Sequence, residues 1–514
     1  MFKLRIPSLL FAAVLGALTT GCRTYEQQNN VIQYWHQGAM TNAVVEAAKM
    51  ADKNANNKDA VIWRLEQGAV LRGAGRYEES NKAFDKAQDK IDDYAQKAKV
   101  RLSQETGALL SNQAELDYEG RTYDGVMLNT YKALNYLQLG EPDKARVELI
   151  RAYQRQQDAV EANKKRIAKV QAEAAKSKDK ATIEKAQQDP KLQAQMQGAY
   201  ANLDNLKAYA DYVNPFTVYL DGLFFMADAV DGSDLERARK SFERAVGFDP
   251  DNEYVKQDLA MVDGLIQGKP LPPTTFVIFE TGCAPVRDQI RIDIPIFFSK
   301  VSYVGAAFPT LKPQGDYLPY LTVTAKNFVV TTTTTNDTVT TAGTSDTNAA
   351  PNGTIVTATS TTTTTDVTTA TTRNITATTS PIASMDSVIG REFKNEMPVV
   401  ITKTIASTVT KAVASYAASQ AASQQNNWLA ALVQISTAVY QVAVNIADER
   451  TWTTLPKEFQ ACHFPTPPDR QIELEAPGGG QRIPVTIADG TINLVYVKSI
   501  TANSPLLVTQ MKLK

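Results

Sequence analysis

Few side chains in this sequence are of the types that carry out acid–base, nucleophilic or metal chemistry. Histidine occurs twice, as His36 and His463, one in each half of the chain. Protein zinc sites need several His, Cys or carboxylate ligands at short spacings, and no HExxH or paired CxxC motif is present. No GxSxG elbow, phosphate-binding lysine loop or dinucleotide-binding glycine motif is present either. The sequence therefore predicts no metal centre, no cofactor and no enzymatic activity.

The densest group of charged and aromatic residues is "ADERTWTTLP" at 447–456. It contains Asp448, Arg450 and Trp452. An Asp–Arg pair beside a tryptophan can form a binding site, but it more often fixes the end of a helix to a sheet. We therefore interpret the three residues as a structural cluster.

Two cysteines lie well inside the chain, Cys283 and Cys462. In an oxidising compartment they could form a disulfide bond. Their spacing gives no support to that pairing, and the sequence favours the alternative of two buried free thiols.

The first residues have the order of a secretory signal. Lys3 and Arg5 precede an apolar run at 8–18, which is too short to span a bilayer as a resident helix. Small residues follow the run. We expect residues 1–21 to be a signal peptide that is removed.

The residue after the expected cleavage site is Cys22, within "LTTGC". This stretch resembles the bacterial lipoprotein signal, although Thr19 occupies the place where that pattern has leucine. The resemblance implies that Cys22 carries acyl chains, and two or more chains anchor a protein stably to a membrane. Arg23 follows, not the aspartate of an inner-membrane retention signal, which favours a periplasm-facing position on the outer membrane. An ordinary signal with an incidental cysteine is the alternative.

The overall charge is nearly balanced, with 54 basic and 55 acidic side chains. A balance of this kind offers no electrostatic footprint for nucleic acid. We expect the partners to be the membrane and another protein.

Residues 22–270 are predicted to be all helix. Three stretches, 68–87, 133–152 and 233–250, place small and large apolar residues at the spacings of a tetratricopeptide repeat (TPR). Alanines at equivalent positions lie 65 and 93 residues apart, whereas tandem repeats would give about 34. The sequence therefore predicts TPR-like packing with irregular insertions.

The longest insertion, at about 144–210, has apolar residues in alternating steps of three and four. Two such seams in series predict a long helical hairpin that projects from the repeats. Two long helices folded onto the body are the alternative.

At residue 271 the pattern changes to that of an α+β domain, which we expect to extend to residue 514. Residues 384–448 are predicted to be mostly helical, so the sheet would be built from both sides of a helical insert. Short runs rich in Val, Ile and Phe predict strands, at 276–282, 290–298, 470–488, 492–500 and 506–513.

A second insert, at 324–380, is dominated by threonine. Threonine favours strands, but this insert has too few apolar residues to order a core. A flexible or ragged hairpin loop is the interpretation that composition favours. Glycosylation is the functional alternative, because Asn336, Asn352 and Asn374 each begin an N-x-T sequence.

Four stretches together resemble a family of uncharacterised bacterial envelope lipoproteins with a TPR-like helical half. They are "NTYKALNYLQLGEPDKARVEL", "VNPFTVYLDGLFF", "FETGCAPVRDQIRIDIPIF" and "ADERTWTTLPKEF". The resemblance implies the multidomain fold, with a helical half before an α+β half, and the envelope location. It implies no catalytic residue.

The function predicted from these features is that of a lipid-anchored periplasmic scaffold or adaptor. Repeat grooves bind segments of other proteins through many modest contacts. By position in the second repeat, Thr130 and Gln138 would face such a groove. A regulator of peptidoglycan synthesis, similar to activators of penicillin-binding proteins, is the alternative, and a wall-modifying enzyme or glycan-binding protein is a further one. We expect no small-molecule ligand.

Overall fold

The chain forms a helical half followed by a mixed half of sheets and one long helix. The computed structural model describes residues 23–101, 113–207, 209–297, 301–341, 360–423 and 446–514. The expected signal peptide and Cys22 lie outside these residues. The helices are α1 Arg23–His36, α2 Met40–Lys53, α3 Ala60–Gly73, α4 Tyr77–Arg101, α5 Thr122–Gln138, α6 Pro142–Ala175, α7 Lys180–Gln187, α8 Pro190–Tyr200, α9 Pro215–Ala227, α10 Gly232–Phe248, α11 Glu253–Ile266 and α12 Met385–Ser423.

Successive helices of the first half pack directly on one another, which confirms the predicted helical half. A glycine on one helix meets an aromatic ring on the next at two places: within the first matched stretch, and between Gly222, which precedes the third stretch, and Phe242 inside it. A Cβ on Gly68 would lie 2.4 Å from the Phe84 ring, and one on Gly222 would lie 3.1 Å from the Phe242 ring. Side chains larger than hydrogen at these positions would therefore push the helices apart.

The segment predicted as a projecting hairpin lies on the body of the protein. Its first helix, α6, packs along α12, and the Asn163 amide donates to the Asn395 carbonyl at 3.3 Å. The chain then returns through the two short helices α7 and α8. Asp189 caps the start of α8 by accepting a hydrogen bond from the Leu192 N–H at 2.9 Å. Val170 of α6 is buried. The apolar seam is thus covered by the second half of the same chain.

The strands form three sheets. The strands are β1 Thr274–Thr281, β2 Val286–Phe297, β3 Val301–Lys312, β4 Thr322–Thr341, β5 Ser360–Thr378, β6 Ser380–Ser384, β7 Glu458–Pro465, β8 Gln471–Glu475, β9 Arg482–Thr486, β10 Ile492–Ser499 and β11 Leu507–Lys512. The central sheet has the order β11-β10-β1-β7-β6, the second has β5-β4-β8-β9, and β2 pairs with β3. The central sheet therefore takes strands from both sides of α12, as the sequence predicts.

Strand β1 is the centre of the fold. It pairs in parallel with β10 and antiparallel with β7, and all of its residues are buried. Phe276 and Ile278 join the apolar core shared with the helices, while Val277 and Phe279 join a second core under the β4–β8–β9 sheet. Because neighbouring residues of a strand point to opposite faces, β1 is covered on both sides.

The threonine-rich insert forms the expected hairpin, but its described residues are paired into two long strands, so the expectation of a flexible loop is wrong for them. Strands β4 and β5 run antiparallel in register from Thr322 and Thr378 out to Thr341 and Ser360. β-branched side chains restrict the backbone to extended conformations, and cross-strand pairs add stability without a core. Asn352 lies outside the described residues.

The predicted helical segment 384–448 is a helix over the described range Met385–Ser423. Residues 446–457 form neither helix nor strand, contain a turn at 453–454, and lead into β7. Among the helices that the structure describes, none combines the length and the apolar character that a bilayer crossing requires.

Candidate functional site

Residues 446–457, which we call the strap, join the mixed half to the helical half. The Arg450 guanidinium donates to Asp448 at 2.7 Å and to Asp59 of the helical half at 3.1 Å. The same side chain donates to the Leu116 carbonyl at 2.9 Å. The pairing of Asp448 with Arg450 that the sequence suggested is thus present, and it bridges to the helices.

Trp452 anchors the strap in the helical half. Its ring contacts Phe84 and Tyr131 edge to face, with centroid distances of 5.8 and 5.9 Å. Its indole N–H donates to the Thr454 hydroxyl at 2.9 Å. A buried tryptophan with a satisfied N–H contributes a large apolar contact area to the junction.

A buried carboxylate holds the next strap residues. Glu66 of α3 accepts from the Thr453 backbone N–H at 2.7 Å and from the Thr454 hydroxyl at 2.7 Å. Burial raises the pKa of Glu66 to about 7, although these hydrogen bonds oppose the rise. The charge of Glu66 therefore changes near neutral pH.

A charged cavity of about 260 Å³ lies beside the strap. It is lined by residues of the loop before α5 and by one residue each of α6 and β2. The rest of its wall belongs to α12 and the strap. The charged residues of this lining are Asp117, Glu119, Arg121, Arg166, Arg287, Glu392, Glu396, Lys403, Asp448 and Arg450.

One wall of the cavity is the N-terminus of α5, which a carboxylate from α12 satisfies. Glu392 accepts from the backbone N–H groups of Thr122 and Tyr123 at 2.6 and 3.0 Å. Burial and the neighbouring charge of Glu396 raise the pKa of Glu392 to about 8. The helix terminus therefore has its own internal acceptor.

The second carboxylate of α12 pairs with arginines. Glu396 accepts from the Arg287 guanidinium at 2.8 Å, and Arg121 Nε lies 3.7 Å from it. Burial alone would raise the pKa of Glu396, but the charges of Arg287 and Arg121 outweigh it and hold the pKa below its usual value. Glu396 is therefore ionised and paired at neutral pH.

Another buried carboxylate, Glu280 on the central sheet, has a complete set of hydrogen-bond partners. Glu280 is 1 % exposed and accepts from the Tyr131 hydroxyl at 2.8 Å and from Lys498 Nζ at 2.6 Å. The Tyr496 hydroxyl donates to the other oxygen, and the Arg72 guanidinium lies 5.0 Å from the centre of the Tyr496 ring. We call these groups the Glu280 network. Burial would raise the pKa of Glu280, but Lys498 and Arg72 lower it.

The cysteine pair weighed from the sequence does not form. Cys283 and Cys462 are both free and buried, and they belong to the two separate apolar cores on opposite faces of the central sheet. Cys283 Sγ lies 3.5 Å from His36 Nε2. Burial raises the pKa of the Cys283 thiol to about 12 and lowers the pKa of His36. Cys283 and His36 are therefore a neutral thiol beside a neutral imidazole, not an activated nucleophile.

The other histidine lies beside a buried acid. His463 Nδ1 is 3.0 Å from Asp258 Oδ1, without the alignment of a hydrogen bond. The Tyr219 hydroxyl donates to the other Asp258 oxygen at 3.0 Å. Among the described residues, no group of three His, Cys, Asp or Glu side chains could hold a metal ion.

The prediction that Thr130 faces an open groove is wrong. Thr130 is fully buried, and its hydroxyl donates to the Val126 carbonyl at 2.8 Å and lies 2.8 Å from the Thr217 hydroxyl. Helix α5 is packed against its neighbouring helices and the central sheet, so it has no open face at this position. Gln138, at the end of α5, is half-buried.

Comparison with protein-family models, curated proteins and solved structures finds no match for this chain. The charged cavity was not predicted, because its lining comes from segments far apart in sequence. One signal was present: Glu392 and Glu396 are four residues apart, which places both carboxylates on one face of a helix.

Proposed function

We propose that this protein is an envelope scaffold or adaptor, tethered through acyl chains on Cys22 to the periplasmic side of the outer membrane, that binds another envelope protein. The signal-like residues 1–21 and the "LTTGC" stretch support the tether. The packed helical half and its strap support a rigid holding role.

We also propose that the helical half is TPR-like. The contacts of Gly68 with Phe84 and of Gly222 with Phe242 support this, because they are the small-to-large contacts that such repeats use. The core of this half is continuous with the central sheet through residues such as Phe276 and Trp452. Since the chain itself covers that surface, we place the partner surface elsewhere.

The partner surface that the geometry favours is the outer part of the β4–β5 hairpin, residues 328–341 and 360–373, which we call the threonine arm. Strand β8 pairs with β4 only over Thr322–Ala325. Beyond that point the register shifts between Ala325 and Phe328, and fourteen successive residue pairs follow. At strand spacing the threonine arm is about 45 Å long.

Both outer edges of the threonine arm are open among the described residues, since neither strand has a second neighbour there. Open edges present unpaired N–H and C=O groups, and natural proteins usually protect them with charges or proline. The arm has only Asp337, Asp366 and Arg373 as charged residues and no proline. This lack of protection is the observation that carries the proposal: an extended segment of a partner adds to the arm as a further strand.

The partner proposal is tested by photo-crosslinking in the envelope. A photoreactive residue at Thr333 should crosslink to a different envelope protein, whereas one at Thr486, on the exposed edge of the body, should not. Replacing residues 328–373 by an Asn-Gly turn should abolish that crosslink and leave the melting temperature unchanged, because the base of the hairpin remains. The proposal would be overturned if the threonine arm crosslinked only to a second copy of this chain, or if crosslinks to other proteins formed only from the helices.

The tether is tested separately. In the Cys22→Ala variant the protein should leave the outer-membrane fraction and appear in the soluble periplasmic extract. A variant that stays in the membrane fraction would contradict the lipid anchor.

A further inference from the structure

We propose that the charged cavity binds a small ligand through a phosphate or carboxylate group. This site lies on the side of α12 and the strap and goes beyond the scaffold role, because it needs no contact with the threonine arm. The argument rests on which charges of the lining already have partners and which do not.

Two cations of the lining have no ion pair among the described residues. Arg166 of α6 is exposed, and Lys403 of α12 is largely buried, with neither a hydrogen bond nor a salt bridge to its ammonium group. Burial and the charge of Arg166 lower the pKa of Lys403. Removing a cation from water without a partner is costly, so a bound anion would stabilise this arrangement.

Two buried guanidinium N–H groups also lack acceptors. Among the described residues, the Nε atoms of Arg121 and Arg287 have no hydrogen-bond partner, although the two side chains are only 8 % and 2 % exposed and Glu396 lies 3.7 Å from Arg121 Nε. Native proteins satisfy nearly all such buried groups. Both residues line the cavity and add positive charge to its wall, although the two Nε atoms themselves have almost no accessible surface.

The carboxylates of the cavity approach these donors without accepting hydrogen bonds from their Nε atoms: Glu396 and Asp448 each lie 3.7 Å from the Arg121 guanidinium. Glu392 accepts from the α5 backbone, while Glu396 and Asp448 are paired with Arg287 and Arg450. Asp117 and Glu119 lie exposed on the loop before α5. The lining thus has five cations and five acids, and Glu119 is close enough to Lys403 to raise its pKa in part. Because the pKa of Glu392 is raised to about 8, the charged cations outnumber the charged acids at neutral pH.

These groups select an oxyanion over a metal ion or an apolar ligand. Guanidinium groups bind phosphate and carboxylate through paired hydrogen bonds, and a lysine adds a point charge. A volume of about 260 Å³ admits a small molecule such as a phosphate monoester but not a folded partner.

The test is calorimetric titration of the purified full-length protein with inorganic phosphate, glycerol 3-phosphate and malonate at low ionic strength. Saturable binding of at least one probe is expected. Arg166→Gln and Lys403→Met should each weaken it by about tenfold, the loss expected for one charge-assisted contact. The matched control is Lys165→Gln, which removes an exposed charge beside Arg166 from the same helix and should leave binding unchanged.

Absence of saturable binding to all three probes would overturn the proposal, and so would equal weakening by the Lys165→Gln control. Vesicles containing phosphatidylglycerol form a separate arm, because a lipid headgroup offers the same chemistry. Binding to vesicles without binding to soluble phosphate would overturn a small-ligand site.

Arg166 is exposed, so its variant tests binding even if the Lys403 variant fails to fold. The Asn-Gly replacement of the threonine arm should still bind phosphate, which separates this proposal from the scaffold function.

Discussion

The two charged clusters at the junction of the halves are built from similar side chains but differ in how completely their groups are paired. In the Glu280 network, both carboxylate oxygens accept hydrogen bonds and the nearby Arg72 lies over aromatic rings. In the charged cavity, Arg166 and Lys403 have no ion pair with any residue that the structure describes, and two guanidinium N–H groups have no hydrogen-bond acceptor there. A saturated network holds a structure together, whereas an unsaturated one has capacity left for a ligand.

The difference follows from the elements that supply each cluster. Three members of the Glu280 network, Glu280, Tyr496 and Lys498, lie on the adjacent strands β1 and β10, which a regular hydrogen-bond ladder holds in register. Except for Arg287 of β2, the charged residues of the cavity come from a loop, two helices and the strap, where no ladder fixes their spacing. Substitutions in the two clusters should therefore change the free energy of unfolding in opposite directions or by very different amounts.

The largest effect is expected at the saturated cluster. Glu280→Ala leaves Lys498 buried without its partner and two tyrosine hydroxyls without an acceptor, so it should lower the free energy of unfolding by about 4 kcal/mol. Urea denaturation followed by circular dichroism measures this. Glu119→Ala, an exposed acid of the cavity loop, is the control and should unfold like the natural protein. If both variants unfold alike, the network does not hold the halves together.

Arg450→Ala should have the next largest effect on stability. It leaves Asp448 and Asp59 without their shared cation and the Leu116 carbonyl without a donor, for a loss of about 3 kcal/mol. The same denaturation experiment measures the loss. An unchanged midpoint would mean that the strap does not hold the helices, and Arg450 would then be assigned to ligand binding.

Glu66 should make stability fall as the pH rises through neutrality. Because burial raises its pKa to about 7, above that of an unfolded glutamate, the stabilising contribution is complete at acidic pH. It declines between about pH 4.5 and pH 7 and is lost above the folded pKa, by up to about 3 kcal/mol. Melting temperatures of Glu66→Gln should vary less over this range than those of the natural protein. Identical pH profiles would contradict the shift.

The smallest effect on stability is expected in the unsaturated cluster. Lys403→Met removes a largely buried cation that forms no ion pair among the described residues, so stability should stay within about 1 kcal/mol of the natural protein or rise. Thermal melts without phosphate measure this, and at equal phosphate concentration the melting temperature should rise more in the natural protein than in the variant. A loss as large as that of Glu280→Ala would remove the distinction between the two clusters.

The sequence predicted the parts of the fold that local patterns encode. Alternating and β-branched runs at 276–282, 470–488 and 492–500 became β1, β8 with β9, and β10. It predicted a hairpin in the threonine insert but missed the long strands, because composition alone hid the extent of the cross-strand pairing of β4 with β5. Local sequence patterns indicate which segments are helices or strands, but not which strands pair with one another.

The site was less predictable than the fold. The position of Thr130 in its repeat implied an open groove, but packing against Thr217 of another helix buries it. Asp448 and Arg450 were paired correctly because they are two residues apart. The partners that complete the cavity, Arg287 and Glu396, are separated by more than a hundred residues and meet only through the tertiary fold.

The pairing of β1 also constrains how the protein is made. Its ladder partners β7 and β10 follow only after the threonine arm and α12, so an emerging chain exposes an apolar strand with nothing beside it. Pairing between strands that lie far apart in sequence is slow, and it leaves folding intermediates that are prone to aggregation. Production of this protein in the cell should therefore depend on chaperones, and a chain truncated before β10 should be degraded rather than accumulate.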